Sequence, residues 1–284
     1  MKPRSLLTIA AALSLSAFSP FSTAADARII SAGSTVTELL MAMDAQDQLV
    51  AVDLTSRHYL NGLDIPVLGY HRQLAAEGLL ALNPTHLLGS PEMGPDSTLK
   101  LLSAAGVEVT ALPAGNSLED FKTRVDAVAA ITGKQHEGEA LKKDVTEKIA
   151  LLQSAQPNDK PKVMFMMLSD GRPLTVAGDN TTVNTVITLA GGVNPAAEHA
   201  TSYKPLSVEA IVEMQPDYIL ISNRTLDQIG GMSGMLEQQP LLAATPAFKN
   251  NNVIRISGYA ILGGFGLASL YLATELNAKL TGTE

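Results

Sequence analysis

The sequence predicts an α/β protein made of two similar lobes bridged by one long α-helix, with a cleft between them. Three observations carry that reading. Short apolar segments alternate with helix-period segments in both halves of the chain, the pattern of parallel strands with helices outside. Leu74, Glu77, Pro84 and Leu88 recur as Leu206, Glu209, Pro216 and Leu220, every pair offset by 132 residues, so the two halves share a repeated unit. Between the repeats, Gln135 to Ala155 carries apolar Ala140, Leu141, Val145, Ile149 and Leu152 at helical spacing. The predicted domains are an N-terminal lobe over 25–134, a bridging helix over 135–156 and a C-terminal lobe over 157–284, each lobe Rossmann-like in its βα order.

The elements follow in chain order. Arg28 to Ser31 reads as a strand, and the AGST turn leads into a helix over about 35–43, with Ser34 or Thr35 as N-cap and Glu38 in its first turn. Strands are expected at 48–52, 86–88 and 107–112, with helices at 75–82 and 99–105; Asn83-Pro84 stops the first of these helices. Ser117-Leu-Glu-Asp caps another helix. After the long helix ends at Gln156-Pro157, a second βα run is expected. It has strands at 162–168, 175–176, 218–222 and 253–256, helices at 181–189 and 208–214, and a closing helix over about 267–280.

Composition narrows the function classes. The chain has 284 residues, 46% hydrophobic and 17% charged, which is globular usage. Lys2 and Arg4 precede an apolar run from Leu6 to Phe18, and the small residues Ser22, Thr23 and Ala24 follow. Residues 1–24 therefore read as a cleaved export signal, its apolar core too short to span a bilayer. Its removal takes the formal charge from −8 to −10. Such an acidic chain argues against nucleic acid and anionic membrane surfaces as partners. The absence of cysteine excludes disulfides, thiolate metal sites and a lipidated N-terminal Cys. An exported, unanchored chain without disulfides fits a bacterial periplasm.

The stretch LGYHRQLAAEGLLALNP, from Leu68 to Pro84, places Tyr70, His71 and Arg72 at the end of an apolar segment with a helix immediately after. Such loops are where α/β proteins present ligand-contacting side chains. Tyr70 is the candidate ligand to something held in the cleft, with Arg72 as its electrostatic support. Tyr203, three residues before Leu206, is the C-lobe counterpart. Aromatics are scarce at 4% and methionines number ten, so apolar surface comes largely from flexible groups that re-pack around a bulky ligand. No G-x-S-x-G, H-E-x-x-H, P-loop or strand-following G-x-G-x-x-G occurs, and no residue constellation supports catalysis.

At GYHRQL (69–74), AEGLLALNPTHLL (76–88), VAGDNTTVNTVITLAGGVNP (176–195), SYKPLSVEAIVEMQPDYIL (202–220) and IGGMSGMLEQQPLLAATPA (229–247), the chain resembles the helix-bridged substrate-binding proteins of bacterial ABC importers. Within that class it resembles the periplasmic haem-binding proteins of the HmuT type. The resemblance implies that Tyr70 is the axial ligand of ferric haem and Arg72 the partner of its phenolate. It also implies that Glu77 and Glu209, one per lobe, dock on arginines of an inner-membrane haem ABC permease served by its ATPase. An outer-membrane haem receptor would stand upstream, and the carrier would be a monomer. Two departures stand out: MFMMLSD after the long helix lacks the His that some relatives place there, and ILGGFGLAS lacks an Arg after Phe-Gly.

Ferric iron is a hard cation suited to a phenolate, and the porphyrin needs apolar faces and a cationic rim. Met164, Met166, Met167, Met232 and Met235 are candidates for the faces. Arg224, Lys204, Arg172 and Arg57 are candidates for the rim, and His71 is a further candidate contact. The same scaffold with a ferric siderophore, cobalamin or a bare metal ion is the nearest alternative; an exported enzyme or a haem-storage protein is more distant. A bare-metal site would draw on His58 and His71.

Overall fold

The computed structural model describes residues 27–168 and 172–283; the expected export signal lies outside the described residues. The N-terminal half runs β1 (Ile29–Ala32), α1 (Ser34–Ala42), β2 (Leu49–Val52), α2 (Ala76–Leu80), β3 (His86–Gly89), α3 (Asp96–Ala104), β4 (Glu108–Ala111) and α4 (Leu118–Thr132). Its four strands form a wholly parallel sheet in the order β2-β1-β3-β4. In β1 all four residues are buried, as expected of a strand covered on both faces. Ile29 joins one apolar cluster and Ile30 another, the two-residue alternation of a pleated strand.

The bridge is α5 (Gln135–Ser154), which buries Val145, Ile149 and Leu152 on one stripe. At its start a Cβ on Gly138 would lie 3.0 Å from the Ala129 Cβ and 3.3 Å from Val125, so glycine lets α5 lie close against α4. Beyond it come β5 (Val163–Met167), β6 (Thr175–Ala177), α6 (Thr182–Leu189), β7 (Tyr203–Pro205), α7 (Val208–Met214), β8 (Tyr218–Ser222), α8 (Asn223–Gln228), α9 (Gly231–Gln238), α10 (Pro246–Lys249), β9 (Val253–Ile256) and α11 (Leu267–Thr281).

This second sheet, ordered β7-β6-β5-β8-β9, departs from the expected parallel run. β5, β8 and β9 are parallel, but β6 pairs antiparallel with both β5 and β7. Only seven residues separate β5 from β6, too few for the crossover of a dozen or more that a parallel return requires. The start of α1 also differs. Gly33, at φ 143°, is its N-cap, and Ser34 is already helical. Glu38 then falls beyond the first turn and is buried at 5% exposure, where it serves another helix.

That helix is α11. The carboxylate of Glu38 accepts from the backbone N–H of Leu267 at 2.8 Å and of Ala268 at 2.7 Å, and from the Tyr59 hydroxyl at 2.8 Å. Burial pushes its carboxyl above the usual range, opposed by those three donors and by the charge of Arg124. Arg124, itself buried, donates to the carbonyls of Phe265 and, at 3.1 Å, of Pro113. The N-terminal lobe thus grips the start of α11. Farther along, the Asn277 amide donates to Ala155 O and Ala190 O, on the C-terminal side. One apolar cluster, including Leu40, Phe121, Val145, Phe165, Val186 and Leu272, runs unbroken through both lobes and α5. Among the described residues no helix is long and apolar enough to cross a membrane.

Candidate functional site

A cavity of about 920 Å³ lies between the lobes, near the top of the roughly 300–1,000 Å³ range of small-molecule sites. It opens where strands end: Ser90 follows β3, Gly115 and Asn116 follow β4, Met167 ends β5, Ser222 ends β8 and Ser257 follows β9. Side chains outside the carboxyl ends of strands are where open α/β sheets bind ligands. Asn116 ties the two walls together, its Oδ1 accepting from the Thr182 hydroxyl at 2.8 Å and its Nδ2 donating to Asn180 O at 3.2 Å. Apolar lining comes from Phe165, Met167, Ile261 and Leu262.

The expected residues divide. Arg72, Tyr203 and Arg224 line the cavity; Tyr70 and His71 are not among its lining side chains. Tyr70 stands exposed at 39%, extended at φ −68°, ψ 134°, just before the 3-10 turn His71–Gln73. Among the described residues no hydrogen bond holds its hydroxyl. Its ring lies 4.4 Å from that of His71. The candidate contact His71 is instead buried, and its Nδ1 lies 3.0 Å from Oδ2 of the fully buried Asp53. Asp53 also accepts from Ser56 Oγ at 2.7 Å and from Thr55. Burial alone would raise this carboxyl, but the bonds from His71, Ser56 and Thr55 outweigh it and its pKa is lowered. His71 therefore anchors the Tyr70–Arg72 segment to the N-terminal lobe.

Tyr203 sits edge-on to Phe165, ring centroids 6.4 Å apart, and burial pushes its phenol up. Of the four rim arginines and lysines, Arg224 alone lines the cavity; Lys204, Arg172 and Arg57 do not. Of the five methionines only Met167 does. Met164, Met166 and Met235 are wholly buried in the outer core of the C-terminal lobe, because even positions on β5 face away from the cleft, and Met232, though partly exposed, is not part of the lining. Glu77 and Glu209 are exposed in the first turns of α2 and α7.

Two lining residues escaped the sequence reading. Glu92 forms an ion pair with Arg72, and nothing in the local sequence marks it. Tyr259 contributes a third phenol, its ring stacked 3.9 Å from that of His58; its place in GYAILGG gave no periodic signal. The His58 Nδ1 is buried without a partner and burial lowers its pKa. With His58 stacked and His71 paired to Asp53, and with no group of three or more His, Asp or Glu side chains among the described residues placed to hold a metal ion, the bare-metal alternative finds no donor set.

The structure of the periplasmic haem-binding protein HutB of Vibrio cholerae matches with a TM-score of 0.85 and 47% identity, over 90% of this chain and 99% of that one. The haem-binding protein RhuT of Roseiflexus sp. RS-1 in its apo form matches with a TM-score of 0.83 and 32% identity, over 90% and 98%. A vitamin B12-binding protein of Vibrio parahaemolyticus is 25% identical over 226 residues, 80% of this chain and 79% of that protein. The periplasmic binding protein family matches residues 29–260, nearly the whole of both lobes and the bridge between them, and the chain belongs to that family.

Proposed function

We propose that this chain is a periplasmic carrier that takes ferric haem into the interlobe cavity through Tyr70 and delivers it to an inner-membrane ABC permease with its ATPase. The observation that carries the reading is a two-walled cavity with apolar faces and an arginine on each wall, Arg72 and Arg224, in a chain 47% identical to a haem-binding protein over 90% of its length. A porphyrin dianion needs both features. Tyr70 is the favoured ligand among the three phenols. Tyr203, exposed to the same degree as Tyr70, packs edge-on to Phe165 where desolvation raises its phenol, and Tyr259 is committed to its stack on His58. Tyr70 is exposed and its hydroxyl is uncommitted. Arg72, two residues away, supplies a cation that stays protonated at any working pH. Delivery rests on Glu77 and Glu209, exposed carboxylates at equivalent places on the two repeats, suited to basic partners. An outer-membrane haem receptor upstream and a monomeric carrier complete the reading.

A corrinoid is the second reading, favoured by the vitamin B12-binding relative. One titration separates the two. Ferric haem added to the wild-type protein is expected to give a saturable Soret band with high-spin tyrosinate features that disappear in Tyr70→Ala, while cyanocobalamin fails to compete. Saturable binding of cyanocobalamin with no saturable Soret band on adding haem would replace haem by a corrinoid. A spectrum unchanged in Tyr70→Ala would move the ligand to Tyr203 or Tyr259.

A further inference from the structure

We infer that Glu92 tempers the cavity's affinity for haem by occupying Arg72 until an anionic oxygen, a propionate of the ligand or the Tyr70 phenolate formed on iron, takes its place. The inference rests on the haem reading above. Among the described residues the cavity is lined by three charges: Arg72, Glu92 and Arg224. Arg224 makes no ion pair there. Arg72 is not free, because its Nη2 donates to Oε2 of Glu92, and both side chains are about half exposed, at 50% and 58%.

The pairing is built by the backbone. Glu92 lies in the loop after β3, and that loop is fastened to the Tyr70–Arg72 segment by Gly94 N–H donating to His71 O at 2.9 Å and by Leu74 N–H donating to Gly94 O at 2.8 Å. A further bond runs from Glu92 N–H to Ser90 Oγ at 3.3 Å. With His71 itself locked to Asp53, Arg72 and Glu92 are held face to face on the cleft wall.

The consequence is an asymmetric cavity. Among the described residues the C-terminal wall offers a guanidinium without an ion pair, Arg224, while the N-terminal wall presents a neutral pair that a ligand must exchange. Haem binding would bring one of two anionic oxygens to Arg72: a propionate of the ligand, or the Tyr70 phenolate formed when that oxygen binds iron. Either can replace Glu92 on Arg72, and the displaced carboxylate is exposed enough to return to water. A macrocycle that brings no anionic oxygen to Arg72 gains nothing from the exchange.

The test is equilibrium titration of wild type and Glu92→Gln with ferric haem and with its dimethyl ester in one mixed solvent. An exposed ion pair is worth at most about 1 kcal/mol, so releasing Arg72 should tighten haem binding about threefold to fivefold. A gain seen with haem and lost with the ester assigns the exchange to a propionate; a gain kept with the ester assigns it to the Tyr70 phenolate. In the Arg72→Gln background the gain should shrink. Unchanged or weaker haem binding by Glu92→Gln would overturn the inference, as would a gain of full size without Arg72. A wild-type protein with no saturable haem binding would instead overturn the proposed function, an outcome distinguishable because it needs no variant.

Discussion

Replacing Glu38 by Ala should destabilise the protein by about 2–4 kcal/mol, although Glu38 lies in the N-terminal lobe and the helix it serves closes the chain. Its carboxylate is the acceptor for the N–H groups of Leu267 and Ala268 and for the Tyr59 hydroxyl, at 2.7–2.8 Å. A helix start has N–H groups that no carbonyl of its own can satisfy, and each one left buried without a partner costs about 1–3 kcal/mol. Two are orphaned in Glu38→Ala, and relief of the buried charge returns part of the sum. Glu38→Gln should cost about half as much. Its amide oxygen can keep the two donors now on Oε1, but its NH₂ must then face Leu267 N–H. Urea unfolding at constant m would measure both. If the two variants unfold within about 0.5 kcal/mol of wild type, the clamp contributes nothing and the lobes are joined by the shared apolar cluster with Arg124 and Asn116.

Two further outcomes follow from the same geometry. Asp53 is held below the usual carboxyl range by His71, Ser56 and Thr55, so its stabilisation is present in full above the ordinary value of 3.8 and is lost as pH falls through the lowered folded value; Asp53→Asn should flatten the acid limb of a pH-stability profile, and an unaltered limb would refute the assignment. Glu77→Lys combined with Glu209→Lys should leave haem affinity at the wild-type value while reducing uptake through the reconstituted permease about tenfold or more, because like charges would then meet across the docking face; undiminished uptake would remove both glutamates from that face.

The helical bridge and both βα runs were legible because their periods differ, 3.6 against 2, and because the 132-residue repeat duplicated every weak local signal. The helix at Val208–Met214 and the strands at Tyr218–Ser222 and Val253–Ile256 end where the pattern ends. The antiparallel strands β6 and β7 were not legible as such, since apolar content gives no direction and only the short β5–β6 connection excludes a crossover. Helix α9 was not legible because Gly231 and Gly234 interrupt its apolar period, and α8 is a six-residue helix too short to show one. In the site, Arg72 was expected as the support of Tyr70 and Arg224 as one of four unranked rim candidates; both line the cavity. Glu92 was missed because its partner is brought to it by hydrogen bonds between two loops, and loop-to-loop pairing leaves no periodic trace. His71 was misplaced for a related reason: its buried acceptor, Asp53, lies 18 residues earlier, across a turn-rich segment.

An acidic protein and a dianionic cargo look mismatched, but the distances decide otherwise. The net charge of −10 expected after loss of residues 1–24 acts from outside, and at physiological ionic strength exposed charges are screened beyond about 8 Å. Inside the cavity the described lining sums to one positive charge, Arg72 and Arg224 against Glu92. The nearest charges therefore favour an anion while the distant ones are muted. On the proposed function, the acidic surface would serve the other encounter, with a basic docking face, and Glu77 and Glu209 stand exposed. Among the described lining residues Glu92 is the single carboxylate, and its pairing with Arg72 keeps it from opposing the cargo outright. Removing the pair's negative partner should raise haem affinity, and removing its positive partner should lower it, because among the described lining residues the anion would then meet Arg224 alone.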